Sequence, residues 1–191
     1  MVDHVTLSTT PQPLRLRVAD YLMLDEAGAF AQYGKTELLD GEIVYMNAQH
    51  RPHARAKLAL YDALKAALSG AGSDLAVLVE TTIAMPPHSA PEPDLVLTTE
   101  PDGEGPVPLR SVRLVIEVAD STLEGDLGAK LAIYAHNNVP EYWVVDLAGG
   151  MVHRMWMPDG AAYAERSLHR FGEAIAAATI EGLTLSASAI R

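Results

Sequence analysis

The sequence predicts a mixed α/β fold in which helices flank a central, mixed β-sheet. A strand, a helix and a second strand follow one another over residues 112–146, and this order is typical of a parallel crossover. Two short turns, Asp40-Gly41 and Gly149-Gly150, each separate apolar runs in the manner of antiparallel hairpins. Parallel and antiparallel strand pairs are therefore expected in the same chain.

The N-terminal part is predicted to contain a tail, a helix, a hairpin and a second helix. Residues 1–13 are polar and show no periodic apolar face, so a flexible tail is expected there. "VADYLMLDEAGAFAQYG" predicts a helix ended by Gly34, and "TELLDGEIVYM" predicts two short strands. The clearest helix is "HARAKLALYDALKAALSGAG". Its inward face is expected to carry Ala54, Leu58, Tyr61, Leu64 and Leu68.

The remaining segments are predicted to build the sheet. "DLAVLVETTIAM", "DLVLTT", "VRLVIEV" and "EYWVVDL" are typical of strands, and "GDLGAKLAIYAHNN" is typical of a helix between the last two. "VVDLAGGMVHRMWM" predicts a hairpin, and "ATIEGLTLSASAI" predicts a closing strand or tail. Since 191 residues with 49% hydrophobic content can bury one substantial core, we expect residues 14–191 to form a single domain.

Composition limits the classes of function. The chain has no cysteine, which excludes disulfides, thiolate metal sites and cysteine nucleophiles, so any metal must be bound by oxygen or imidazole. The net charge of −11 repels polyanions at long range and argues against a protein that coats nucleic acid, unless a local cationic patch or a divalent ion overcomes it. Because the chain lacks a long apolar run and a secretion signal, we expect a soluble, cytoplasmic protein without a membrane partner.

Two acids occupy unusual places in predicted strands. In "VRLVIEVAD", apolar residues at alternate positions surround Glu117, so this carboxylate should be at least partly buried. Asp94 begins the preceding strand, directly after Pro93. If the two strands are neighbours, the carboxylates converge at one end, where with a backbone carbonyl and waters they could bind magnesium or manganese. The structural alternatives are a strand-start acid at Asp94 and a Glu117–Arg113 ion pair.

Lys130 falls within the predicted inward stripe of the crossover helix, between Leu127 and Tyr134. A lysine in that position needs a partner, and its amine could reach the two acids or a phosphate held between them. Asp126 lies one turn earlier and could steady the amine through an i to i+4 pair. The alternative is a lysine that extends to water while its methylenes cover apolar surface.

Four segments in this order, "PEPDLVL", "LVIEVADST", "DLGAK" and "YAHNNVPEYWVVD", resemble the Uma-two restriction-endonuclease family, a branch of the PD-(D/E)XK nuclease superfamily. The resemblance extends over most of the chain beyond residue 35. It implies a restriction-endonuclease-like core that hydrolyses phosphodiester bonds with Mg²⁺ or Mn²⁺ as cofactor. DNA is the expected substrate. The resemblance also implies a homodimer, because cutting both strands needs two active sites or one used twice.

The resemblance assigns roles by position. Asp94 matches the first acid of the superfamily motif and Glu117 the second, both as metal ligands, with the Val118 carbonyl as an additional ligand. The superfamily pattern has lysine two residues after the second acid, where this chain has Ala119. Lys130 on the next helix is then the candidate that orients the attacking water or stabilises the charge that develops on the phosphoryl group.

Further residues have both a functional and a structural interpretation. Glu80 could add a carboxylate to the metal site or serve as a structural polar residue. Arg51, His53 and Arg55 gather at the start of the strongest helix, where backbone amides favour anions, and could contact phosphates. A solvated helix start, with His53 as a capping or packing residue, explains that cluster equally.

Two functions from different classes follow from the sequence. The first is a metal-dependent endonuclease that uses Asp94, Glu117 and Lys130. The second is a catalytically inactive binding or regulatory module that kept the nuclease fold and acts as a homodimer. The acidic net charge and Ala119 favour the second function, whereas the pair of acids and Lys130 favour the first.

Overall fold

The computed structural model of the protein describes residues 11–46 and 49–186. The helices are α1 (Val18–Glu26), α2 (Arg51–Gly70), the short α3 (Leu123–Gly125), a π-helical turn (Asp126–Lys130) and α4 (Leu131–His136), with single 3₁₀ turns at Ala31–Tyr33 and Leu109–Ser111. The strands are β1 (Thr36–Leu39), β2 (Glu42–Tyr45), β3 (Ala76–Val79), β4 (Ile83–Ala84), β5 (Leu95–Thr98), β6 (Val107–Pro108), β7 (Val112–Ala119), β8 (Glu141–Asp146), β9 (Met151–Asp159), β10 (Ala162–Arg170), β11 (Ala174–Ala176) and β12 (Thr184–Ser186).

The central sheet has the strand order β10-β9-β8-β7-β5-β3. β7 and β8 are parallel and are joined by the predicted crossover through α3, the π-helical turn and α4, while the other neighbours in this sheet are antiparallel. The mixed sheet predicted from the sequence is therefore confirmed. Both predicted hairpins are present, β1–β2 at Asp40-Gly41 and β8–β9 at Gly149-Gly150.

Helices cover both faces of the sheet, because the central strands are apolar on both sides. Leu114, Ile116 and Val118 of β7 pack in one buried cluster with α2. Val115 and Ala119, on the opposite face, pack with Tyr134 of α4 and Val144 of β8. Glu117 lies between Val115 and Ala119 on strand β7, so its side chain points to the face that α4 and the π-helical turn cover.

The buried face of α2 differs from the predicted one. Leu58 is 62% exposed and Ala54 is also exposed. The residues that α2 buries are His53, Ala56, Leu60, Leu64 and Leu68. These positions recur every three or four residues, whereas Leu58 lies about 200° around the helix from Leu60. Two apolar stripes compete in this sequence, and contact with the sheet selects the one that starts at His53.

The N-terminal helix and hairpin form a smaller packing unit beside the sheet. Val18 and Tyr21 of α1 pack with Leu38 of β1 and Ala90. The Tyr21 hydroxyl donates a hydrogen bond to the Thr36 carbonyl at 2.8 Å. These contacts fix β1 in a buried position, although β1 is not part of the central sheet.

Several element predictions differ from the structure. α1 ends at Glu26 rather than at Gly34, and the predicted crossover helix contains a π-helical turn. β10 was not predicted from the sequence, and Tyr163 is the one residue that this described strand buries. Residues 1–10 of the predicted tail, 187–190 of the closing segment and Arg191 lie outside the described residues. The division into a tail and a single domain stays a prediction. Within the described ranges, no helix combines the length and apolarity needed to cross a membrane.

Candidate active site

Asp94 and Glu117 meet because of the register between β5 and β7. Leu95 pairs with Ile116 in this antiparallel ladder, so Asp94, one residue before Leu95, stands opposite Glu117, one residue after Ile116. Both side chains are buried. The amide of Val118 donates to Asp94 Oδ2 at 2.8 Å, which fixes the Asp94 carboxylate against the backbone beside Glu117. The structure thus brings together the two acids that the sequence singled out.

Lys130 is buried beside these acids, on the π-helical turn of the crossover. Its Nζ donates to Glu117 Oε1 at 2.9 Å. The same Nζ donates a hydrogen bond to Glu37 Oε1 at 3.1 Å. It also lies 3.1 Å from Glu37 Oε2, with which it forms an ion pair but no hydrogen bond. Lys130 is therefore held between two carboxylates and does not extend to water. π-Helical turns are rare in proteins overall, but many of those that occur lie at functional sites.

Glu37 is a member of this cluster that the sequence analysis missed. It lies on β1, is fully buried, and is 93 residues from Lys130 in the chain. Besides Lys130, the backbone amide of Glu92 donates to Glu37 Oε1 at 3.0 Å. Tyr134, which the sequence suggested as a core residue, also donates its hydroxyl hydrogen to Glu117 Oε1 at 2.8 Å. The site thus contains a buried network around one lysine.

The buried network affects the protonation of its two central groups, Glu117 and Lys130, in different ways. Burial, followed by the charges of neighbouring acids, raises the pKa of Glu117 to about 8 against the opposing effect of Lys130. Burial lowers the pKa of Lys130, but Glu117 and Glu37 outweigh this effect and raise it above its ordinary value. Lys130 therefore keeps its proton, and Glu117 is the partner that takes up a proton as the pH falls.

A second set of contacts surrounds Asp94. His53 Nε2 lies 3.1 Å from Asp94 Oδ2, and Lys57 Nζ lies 3.7 Å from Oδ1. Burial raises the pKa of Asp94, but the hydrogen bond and charge of His53 and the Val118 amide outweigh it and hold this pKa below its ordinary value. His53 Nδ1 is buried and has no hydrogen-bond partner in the described part of the chain. His53 thus packs inward against Asp94 and also lines the cleft described below, so its contact with a phosphate stays a prediction.

The supporting residues named from the sequence have different surroundings. Asp126 accepts a hydrogen bond from the Thr122 hydroxyl at 2.6 Å, and the expected Asp126–Lys130 pair is not among the ion pairs of the described residues. Glu80 lies at the surface, 2.5 Å from Lys57 Nζ. Arg51 and Arg55 are exposed at the start of α2. Arg113, the alternative partner for Glu117, instead donates to the carbonyls of Arg110 and Val112.

An open cleft of about 350 Å³ gives solvent access to this cluster. Its buried lining residues include three acids, Asp94, Glu117 and Asp126, and one cation, Lys130. Exposed residues such as Tyr45 and His50 lie at its rim. A cleft in which a buried cation and carboxylates with altered pKa values converge is a typical location for an active site.

Comparison with known proteins adds the family. The Uma2 family model, described as "Putative restriction endonuclease", matches residues 18–188. This chain belongs to the Uma2 family. Among curated proteins, none matches the chain significantly.

A solved structure supports the fold of this Uma2 protein. It is the crystal structure described as that of "a putative nuclease belonging to DUF820" from Anabaena variabilis ATCC 29413, which is similar with a TM-score of 0.65 and 14% sequence identity. The match covers 92% of this chain and 97% of the other. At this identity the likeness shows the fold. The family and the fold together support nuclease function, and the resemblance found in the sequence is confirmed.

The oxygen ligands in the cleft of this Uma2 protein fit a hard divalent cation. Within the described residues there is no group of three or more acidic or histidine side chains arranged around one metal position. However, Mg²⁺ is commonly held by one or two carboxylates and completed by water and substrate phosphates. Glu117 accepts its two hydrogen bonds on Oε1, and Asp94 Oδ1 has only a 3.4 Å contact with Gln49 and a 3.7 Å contact with Lys57. Each acid therefore offers one oxygen for a metal.

Proposed function

We propose that this Uma2 protein is a metal-dependent endonuclease that hydrolyses phosphodiester bonds in DNA. Asp94 and Glu117, with the Val118 carbonyl, are the proposed ligands of Mg²⁺ or Mn²⁺, and Lys130 is the proposed third catalytic residue. The observation that carries this proposal is the convergence of the two acids across the β5–β7 ladder, with the buried Lys130 amine 2.9 Å from Glu117. The same three residues were indicated independently by the sequence.

The proposed roles follow from the charges in the cleft. A bound divalent cation would polarise the phosphoryl oxygens and neutralise the charge that develops during hydrolysis. Lys130 keeps its proton between two carboxylates, so it acts as a hydrogen-bond donor and a positive charge, and not as a base. Its amine can orient the attacking water or stabilise the phosphoryl oxygens, and Glu37 supports the amine from the side away from the substrate.

The remaining assignments concern substrate contacts and assembly. Arg51 and Arg55 are exposed near the cleft residues His50 and His53, where they can contact the DNA backbone. Asp126 and Glu80 have supporting roles through Thr122 and Lys57, respectively. The homodimer and the cytoplasmic location stay predictions.

A titration of Mn²⁺ by calorimetry, beside plasmid nicking in the same buffer, tests the proposal. We expect the wild type to bind Mn²⁺ and to nick DNA, and we expect Asp94→Asn to weaken metal binding by about 100-fold, because the variant loses one of two charged ligands. Glu165→Gln, at an exposed position on β10, removes an equal charge and should behave as the wild type.

Two results would decide against the nuclease. If wild-type protein binds no metal, the acids have a structural role and the inactive-module alternative is favoured. Metal binding without nicking, on plasmid and on single-stranded DNA alike, would leave a metal-binding module that kept the fold.

The affinity for metal should depend on pH through Glu117. Metal binding requires the carboxylate form, and burial raises the pKa of Glu117 to about 8 while that of Asp94 is lowered. Below pH 8 each binding event must therefore release about one proton, so the Mg²⁺ affinity should fall about tenfold per pH unit toward pH 6. Calorimetry in two buffers with different ionisation enthalpies counts this proton. A pH-independent affinity between pH 6 and 8 would contradict the raised pKa.

A further inference from the structure

Two exposed tyrosines lie against each other, and one of them, Tyr45, is at the rim of the cleft. Tyr33 is 49% exposed and Tyr45 is 64% exposed. Their ring centroids are 5.9 Å apart with an angle of 38° between the planes, and Tyr45 lines the same cleft as Asp94 and Lys130. Other aromatic residues of the chain have different surroundings: Tyr134, Tyr142 and Trp143 are buried, and the Trp156 ring packs against the Arg154 guanidinium.

The backbone at Tyr45 is held by strand pairing. Tyr45 pairs with Thr36 in the β1–β2 ladder, and the Met46 amide donates to the Lys35 carbonyl at 2.9 Å. Thr36 and its neighbours Glu37 and Leu38 are buried, so β1 is anchored in the protein while β2 presents its side chains outward. Tyr45 is thus positioned by the strand that carries Glu37 to Lys130, and Tyr33 lies at the end of the 3₁₀ turn that precedes this strand.

The net charge indicates what these rings contribute. At −11, the protein gains little from long-range attraction to a nucleic acid, so affinity must come from short-range contacts close to the site. Stacking of a base on an aromatic ring is such a contact, and it is insensitive to both charge and base identity. In a continuous duplex both faces of each base are covered by neighbouring bases, so a ring can stack only on a base that is unpaired or at an end.

From the exposed ring pair beside the buried acids and lysine, we propose that Tyr33 and Tyr45 form a stacking platform for unpaired bases next to the scissile phosphate. The platform makes single-stranded DNA, or a single-stranded segment that adjoins a duplex, the preferred substrate class. This inference rests on the proposed nuclease function for its meaning, but the binding that it predicts does not require cleavage.

Fluorescence anisotropy in EDTA measures that binding without metal or cleavage. The probe is a fluorescein-labelled oligothymidylate of about twelve nucleotides, a length within the usual range for such sites. It is compared with an abasic strand and a hairpin duplex of similar length. We expect the wild type to bind the oligothymidylate about tenfold more tightly than either comparison probe, and Tyr45→Ala or Tyr33→Ala to remove most of that preference.

The controls separate stacking from other effects. Tyr45→Phe and Tyr33→Phe keep the rings and should retain wild-type affinity, and Leu168→Ala removes an exposed apolar side chain from β10 and should change nothing. The platform is refuted if the wild type does not bind the oligothymidylate, if the abasic strand binds equally well, or if the alanine variants bind as the wild type does. Plasmid nicking with Mn²⁺ is scored separately. Base-dependent binding without nicking would refute the nuclease and keep the platform. Nicking by the wild type, with alanine variants that bind the oligothymidylate as the wild type does, would refute the platform and keep the nuclease.

Discussion

Glu117→Gln is expected to abolish metal binding and DNA cleavage while the protein stays folded. Glutamine has the volume of glutamate and can still accept hydrogen bonds from Lys130 and Tyr134, so the buried network loses a charge but keeps its shape. Under the proposed function, the lost negative charge removes one metal ligand and with it several kcal/mol of transition-state stabilisation. We expect cleavage to fall by about a thousandfold or more, which corresponds to about 4 kcal/mol.

Single-turnover cleavage and calorimetric Mn²⁺ titration of the Glu117→Gln protein measure these effects. Glu165→Gln provides the matched control, because it makes the same substitution at an exposed position of β10. Retention of more than about a tenth of the wild-type cleavage rate would show that Glu117 is not a metal ligand. A lower melting temperature alone, with metal affinity unchanged, would assign Glu117 a structural role.

Lys130→Met is expected to produce the largest loss of stability. The substitution leaves Glu37 and Glu117 buried without their cation, and removal of one partner from a buried ion pair typically costs about 3–5 kcal/mol. Urea unfolding followed by circular dichroism measures this loss as a lower midpoint with an unchanged slope. Cleavage should also fall, because the proposed donor to the water or phosphate is absent.

A double variant distinguishes the ion-pair network from simple packing. In Lys130→Met with Glu37→Gln, one of the two acids left without their cation is replaced by a neutral side chain, so part of the lost stability should return while cleavage stays low. Lys65→Met, at an exposed position of α2, should change stability by less than about 0.5 kcal/mol. If Lys130→Met lowers the free energy of unfolding by less than about 1 kcal/mol, the amine is solvated and the buried network does not stabilise this site.

The sequence contained enough information to predict the sheet and its two acids. Glu117 is flanked by apolar residues on β7, and Pro93 marks the start of the strand that follows Asp94. Both signals come from residues close together in the sequence. The pairing of β5 with β7 then brings the two carboxylates together. The inward position of Lys130 also followed from local spacing, because Leu127 and Tyr134 frame it on the crossover.

Contacts between distant segments could not be predicted in the same way. Glu37 lies in "TELLDGE", where its sequence neighbours are typical of an exposed hairpin, and its burial results from the packing of β1 against α1 and the π-helical turn. His53 reaches Asp94 only because α2 buries the stripe that begins at His53 and not the one that contains Leu58. β10 was missed because an edge strand with few buried side chains shows little alternation.

The acids and the lysine of this site are carried by different elements of the fold. Asp94 and Glu117 are fixed by the β5–β7 ladder, whereas Lys130 belongs to the π-helical turn of the crossover. Insertions, deletions or substitutions in the segment between Ala119 and Leu123 can therefore accumulate without moving the carboxylates relative to each other. Loss of the lysine would therefore leave the β5–β7 pairing of the two acids in place, so proteins with and without this amine can share one scaffold.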